Sequence, residues 1–177
     1  SKTVTARTVF KNPHFFRSCF IFLMDGIQAL IVTTLEDLEL LKDMNPFAIF
    51  LKMKPSDLRL GIPQALSYPT LEVLDLFSNC IQDSGATMLE PLALNTSLFS
   101  LSLKSNYFTG KGIESICEML SVNTNLCRLN ISSNHLGLQG AGAVGQFLVT
   151  NSSLGGIDIG CCKVGEAVME LLVPGLL

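Results

Sequence analysis

The residues of this chain that could do chemistry are two histidines, six cysteines and three Asn-x-Ser/Thr triplets. A histidine acts as a base or a metal ligand only in company, and neither has it. His14 lies in a basic stretch with no cysteine or acid at ligand spacing, and His135 stands between Asn134 and Leu136. Cys19, Cys80, Cys117, Cys127, Cys161 and Cys162 form no CxxC pair and have no histidine at zinc spacing, so no metal is expected. The adjacent Cys161 and Cys162 invite a redox reading, but alternation along a strand would point them to opposite sides. No GxxxxGK[ST] occurs and no GxGxxG is placed to cradle phosphate: GLQGAG at Gly137 to Gly142, which runs on to Gly145, is the repeat's turn into a helix. The expectation is therefore a protein that is not an enzyme, has no cofactor, and keeps its thiols reduced in the cytoplasm.

Composition narrows the partners. The 177 residues are 48% hydrophobic, enough for one domain with a real core. A net charge of -3 supplies no basic field for nucleic acid, and the 15% charged residues lie well below the roughly 25% of ordinary domains. Mean hydropathy is positive, at +0.44. Both point to surface that a protein partner covers. Lys2, Arg7, Lys11 and Arg17 all precede the first acid, Asp25. This acid-free leader shares the composition of a transit peptide, and it is read here as an irregular basic arm. The apolar run from Cys19 to Val32 is broken by Asp25, Gly26 and Gln28. It falls short of the roughly 18 to 20 residues of a membrane span, so a buried helix or strand pair is expected.

What positions these residues is a repeat. Leucines at Leu71, Leu98, Leu126 and Leu154 each start a unit with apolar residues at fixed offsets. The sets are Leu71, Leu74, Leu76, Ile81; Leu98, Leu101, Leu103, Phe108; Leu126, Leu129, Ile131, Leu136; and Leu154, Ile157, Ile159, Val164. The pattern is LxxLxLxxNxL at a period of 27 to 28 residues, and such a period overrides local propensity. The LxL pair turns two side chains of a short strand inward and leaves the residue between them outward. Asn79, Asn106 and Asn134 hold the ninth position, where an amide can both donate to and accept from neighbouring backbone, and Cys162 takes it in the fourth unit.

The second half of each unit reads as a helix entered at Gly85, Gly112 or Gly140, where little room is left for a side chain. Behind them Met88, Leu89, Leu92; Ile116, Met119, Leu120; and Val144, Phe147, Leu148 fall at helical spacing. Asn95, Asn123 and Asn151 close these helices, as residues tolerant of left-handed backbone. Asn95, Asn130 and Asn151 also head the Asn-x-Ser/Thr triplets, so the repeat explains them without glycans.

Across Leu71 to Leu177 the sequence resembles the ribonuclease-inhibitor-like leucine-rich repeats, a group shared by ribonuclease inhibitor, NOD-like receptors, Ran GTPase-activating proteins, tropomodulins and axonemal proteins. The resemblance implies an α/β fold: a curved right-handed solenoid with a parallel sheet on its concave side and helices on its convex side. The expected organisation is a basic arm and apolar segment over 1–34, degenerate or capping units over 35–70, and four repeats over 71–177, the last incomplete. LEDLELL from Leu35 and DLRLGIPQAL from Asp57 carry the degenerate units.

The outward row of the strands is then the binding surface: Val73, Asp75, Phe77, Ser100, Ser102, Lys104, Arg128, Asn130, Ser132 and Asp158. Phe77 and Arg128 stand out, because exposed aromatics and arginines tend to carry interface energy. The function expected is a non-catalytic protein-interaction module, a structural or scaffold subunit of a larger assembly. A regulator of an enzyme, of the GTPase-activating or ribonuclease-inhibitor type, is the alternative. The resemblance extends the cytoplasmic setting to cytoskeletal and ciliary ones. Phe15 and Phe16 in the arm, and the apolar end Leu171 to Leu177, are expected to touch the rest of that assembly.

Overall fold

A computed structural model describes residues 20–24, 27–43 and 45–163 of the chain. The arm with Phe15 and Phe16, Cys19, Val164 and the Leu171 to Leu177 end lie outside the described residues. In chain order the elements are β1 (Phe20–Met24), β2 (Ile27–Val32), α1 (Leu35–Leu40) with a 3₁₀ turn at Leu41–Asp43, β3 (Ala48–Leu51) and α2 (Pro55–Leu66). Then come β4 (Val73–Asp75), a 3₁₀ segment at Asp83–Leu94, β5 (Ser100–Ser102), α3 (Gly110–Leu120), β6 (Arg128–Asn130), α4 (Gly137–Thr150) and β7 (Gly156–Asp158).

The seven strands form one sheet in sequence order. β1 pairs with β2 antiparallel, so the apolar run is a strand pair; β2 to β7 are all parallel. Leu74 pairs with Leu101, Leu101 with Leu129 and Leu129 with Ile157, which sets equivalent residues of successive repeats side by side. Parallel strands need a crossover, and here each crossover is the second half of one unit. The chain is thus a solenoid of strand-plus-helix coils. No helix among the described residues is long and apolar enough to cross a membrane.

Burial follows the offsets. Leu71, Leu74, Leu76, Ile81, Leu98, Leu101, Leu103, Phe108, Leu126, Leu129, Ile131 and Leu136 are all buried and belong to one core. Leu154, Ile157 and Ile159 pack against it but are only partly buried, since no described strand lies beyond β7.

The asparagines behave as a ladder. Asn106 Nδ2 donates to the Leu76 carbonyl at 2.8 Å, and Asn134 Nδ2 to that of Leu103 at 3.0 Å. Each Oδ1 accepts from the preceding coil: Asn79 N–H donates to Asn106 at 2.9 Å, and Asn106 N–H to Asn134 at 3.1 Å. Cys162 fills the fourth rung with its thiol on the Ile131 carbonyl at 3.3 Å.

Two local expectations need correction. Asn95 and Asn151 have φ of -72° and -87° with extended ψ, so they are not left-handed caps. With Asn123 they build a second ladder at the opposite end of the strands. Asn95 Nδ2 reaches the Leu66 carbonyl at 3.0 Å and Asn123 Nδ2 that of Leu92, while their Oδ1 atoms hold the Leu98 and Leu126 N–H groups at 2.7 and 2.8 Å. An extended backbone suits them because the amide replaces the turn's own hydrogen bonds. Left-handed backbone occurs instead just after the strands, at Ser78, Ser105, Ser133 and Cys161, with φ of 56–57°. The second correction is that Asp83–Leu94 winds as 3₁₀ rather than α. That unit is the one of 27 residues, and 3₁₀ winding rises about 2.0 Å per residue against about 1.5 Å, so fewer residues span the coil.

Close approach explains the glycines. A Cβ on Gly85 or Gly112 would meet Ile81 or Asp83. At Gly110, which opens α3, it would lie 2.7 Å from the Leu136 carbonyl oxygen and 2.8 Å from the Gly140 nitrogen of the next coil. Backbone cannot swing aside. Gly110→Ala is therefore expected to lower stability by about 1–3 kcal/mol through overpacking, read as a lower urea midpoint with an unchanged slope.

Candidate functional site

The strands that carry the expected surface are three residues long, and only their middle residue points into the core. Their register sets Val73 beside Ser100, Arg128 and Gly156, and Asp75 beside Ser102, Asn130 and Asp158. Phe77 and Lys104 follow two residues on. Phe77, Arg128 and Asp158 are exposed; Val73, Asp75, Ser100, Ser102, Lys104 and Asn130 are half-buried. Nine of the ten expected residues therefore share one accessible face.

Ser132 does not. It is only 4% exposed, although its counterparts in the two preceding coils, Phe77 and Lys104, reach solvent. Its hydroxyl donates to Asn130 Oδ1 at 2.7 Å and its N–H to the same atom at 2.9 Å. A short side chain held to its own strand sinks where longer ones rise.

The same turn recurs at the end of β4 and β7. Asp75 Oδ1 accepts the Phe77 N–H at 2.7 Å, and Asp158 Oδ1 accepts the Gly160 N–H at 2.9 Å. Both carboxylates thus order the chain as it leaves the strand, beyond any part in binding.

Two cations sit on rings. Lys104 Nζ is 5.8 Å from the centroid of Phe77, and Arg128 Cζ is 5.7 Å from that of Phe99. Phe99, 41% exposed, was absent from the expected set because it precedes the LxL triplet. Its signal was a bulky aromatic one residue before an outward position. Lys52, after β3, donates to the Ser78 carbonyl and borders the face on the side of Phe77. Among the described residues the one ion pair within 4 Å is Lys42 with Glu39, on α1 and its following turn. Lys104 and Arg128 therefore have aromatic partners but no carboxylate in reach.

Of the groups weighed for reactivity, His135 is exposed and its backbone N–H donates to the Phe108 carbonyl at 2.8 Å. No cluster of three or more His, Cys, Asp or Glu residues that could hold a metal occurs among the described residues. Cys80, Cys117, Cys127, Cys161 and Cys162 are free thiols. Cys161 is exposed and Cys162 buried, but a left-handed turn beyond β7 separates their directions, not strand alternation.

Burial pushes the Cys117 thiol up to about 12, and the nearby Glu114 and Glu118 carboxylates add to the rise. Burial also raises that of Cys162. Alkylation of native protein near pH 8 is expected to label Cys80 and Cys161 first and to spare Cys117 and Cys162 until the chain unfolds, as peptide mapping would show. Because the folded state keeps the Cys117 proton more tightly, its contribution to stability is complete below about pH 9 and is lost as pH rises towards 12.

The chain matches the family model described as "Leucine Rich repeat" over residues 69–89, 94–117 and 122–145. Among solved structures it is similar to one described as "Leiomodin-1 Actin-Binding Site 2 (ABS2)", with 22% identity and a TM-score of 0.62 over 81% of this chain and 90% of that one. It is also similar to a Caenorhabditis elegans tropomodulin C-terminal domain, with 18% identity and a TM-score of 0.61 over 85% of this chain and 82% of that one. No curated protein matches it.

Proposed function

We propose, from the premise that this chain is a leucine-rich-repeat protein, that it is a non-catalytic protein-interaction module whose partner lies across the concave sheet. It serves in this reading as a structural subunit of a cytoskeletal assembly in the cytoplasm. The observation that carries the reading is the face itself: Phe77 with Lys104 and Phe99 with Arg128 rise on either side of a floor of small residues, Ser100 and Ser102. Half-exposed rings beside cations on a rigid sheet lose little freedom on binding, which favours them as anchors. The cytoskeletal part draws on a similar structure described as an actin-binding site.

Filamentous actin is accordingly the first partner to test. Purified chain is expected to pellet with filaments, and Ser102→Trp, which fills the floor without touching the core, is expected to abolish pelleting. Chain that stays in the supernatant defeats the actin reading. Equal pelleting of Ser102→Trp and wild type defeats the concave face.

A further inference from the structure

The two cation–aromatic pairs have a feature that general protein binding does not require. Lys104 and Arg128 each lie over a ring face, and neither has a carboxylate within 4 Å among the described residues. Arg128 is on β6 opposite Ser100, four residues before Lys104 on the neighbouring strand. By strand geometry their Cα atoms are therefore roughly 14 Å apart. The Phe77 and Phe99 rings restrict where each cation can go, so both are held ready for an anion at a set separation. The carboxylates of the same face, Asp75 and Asp158, each accept a backbone N–H through Oδ1 and form no ion pair within 4 Å with either cation.

We propose that Lys104 and Arg128 are paired receptors for carboxylates on an acidic segment of the partner protein, laid across β4 to β6. The inference rests on the concave-face reading above and adds the partner's chemistry to it. The spacing fits acids four residues apart on an extended segment, which share one face and lie about 13 Å apart. Arg128 can take its carboxylate through two parallel N–H···O bonds, and Lys104 takes one as a point charge.

The test uses the whole chain and a synthetic extended peptide with glutamates four residues apart, a glutamine-for-glutamate version, and a single-stranded RNA oligonucleotide. Binding is read by fluorescence anisotropy at two salt concentrations, with thermal unfolding of each variant as the control for folding. The glutamate peptide is expected to bind about tenfold or more tightly than the glutamine peptide, and more weakly at high salt. Lys104→Gln and Arg128→Gln should each lower that affinity several-fold, and Lys104→Glu should regain it for a peptide with lysine at the matching position. Equal affinity for the two peptides, indifference to both variants, or preference for RNA overturns the inference. If Ser102→Trp blocks the peptide while both glutamine variants bind as wild type, the acidic segment is wrong and the concave face stands. If Ser102→Trp changes nothing, both fall.

Discussion

Asn134→Ala is expected to lower folding stability by about 3–5 kcal/mol, a large share of what a domain of this size has to lose. The side chain is 1% exposed, and its two ends do different work. Oδ1 accepts the N–H groups of Asn106 and Phe108, both at 3.1 Å. Nδ2 donates to the carbonyls of Leu103, Ile131 and Ser132, at 3.0, 2.8 and 3.3 Å. Alanine leaves two donors and the Leu103 carbonyl buried without partners, while the Ile131 and Ser132 carbonyls keep Cys162 Sγ and the Ser105 N–H, and water has no easy path to a coil junction packed on both sides. The loss should appear as a lower urea midpoint followed by circular dichroism, since the chain has no tryptophan. An effect under about 1 kcal/mol would show that the junction opens to water.

Phe108→Ala should cost about as much, 3–5 kcal/mol, by a different route. Phe108 is fully buried in the core and holds the place that smaller Ile81 and Leu136 take in neighbouring coils. Its ring stands against the start of α3, where a Cβ on Gly112 would be 2.8 Å from Cδ1. Backbone on both flanks is fixed by neighbouring coils, so the void cannot collapse fully. Phe108→Ala keeps the backbone N–H that bonds Asn134, so the two residues couple through the coil junction they share, and a double-mutant cycle is expected to show losses that do not add. Phe108→Leu, which keeps most of the volume, should cost less than half as much as alanine.

Much of this was legible before any coordinates. A period-two LxL triplet inside a 27- to 28-residue repeat admits few structures, because the strand must turn both leucines to one side and the remaining residues must carry the chain back to start a parallel neighbour. The register of Leu74, Leu101, Leu129 and Ile157 follows directly. The asparagine ladder was legible for the same reason, since an amide at a fixed offset has both a donor and an acceptor for adjacent coils. Most of the concave row was readable from alternation alone.

The exceptions mark where neighbours in space took over from neighbours in sequence. Ser132 alternates outward by position, yet its size and its bond to Asn130 bury it. Asn95 and Asn123 looked like helix ends tolerant of unusual backbone, and only the stacking of coils showed that each reaches a carbonyl of the coil before it. Phe99 entered the face because Arg128, 29 residues later, lies over its ring. A repeat encodes which residues recur along one coil, so sequence by itself determined the solenoid, its core and its ladder. Which side chains meet across coils depends on their lengths and on the distance between strands, and that only the tertiary structure decided.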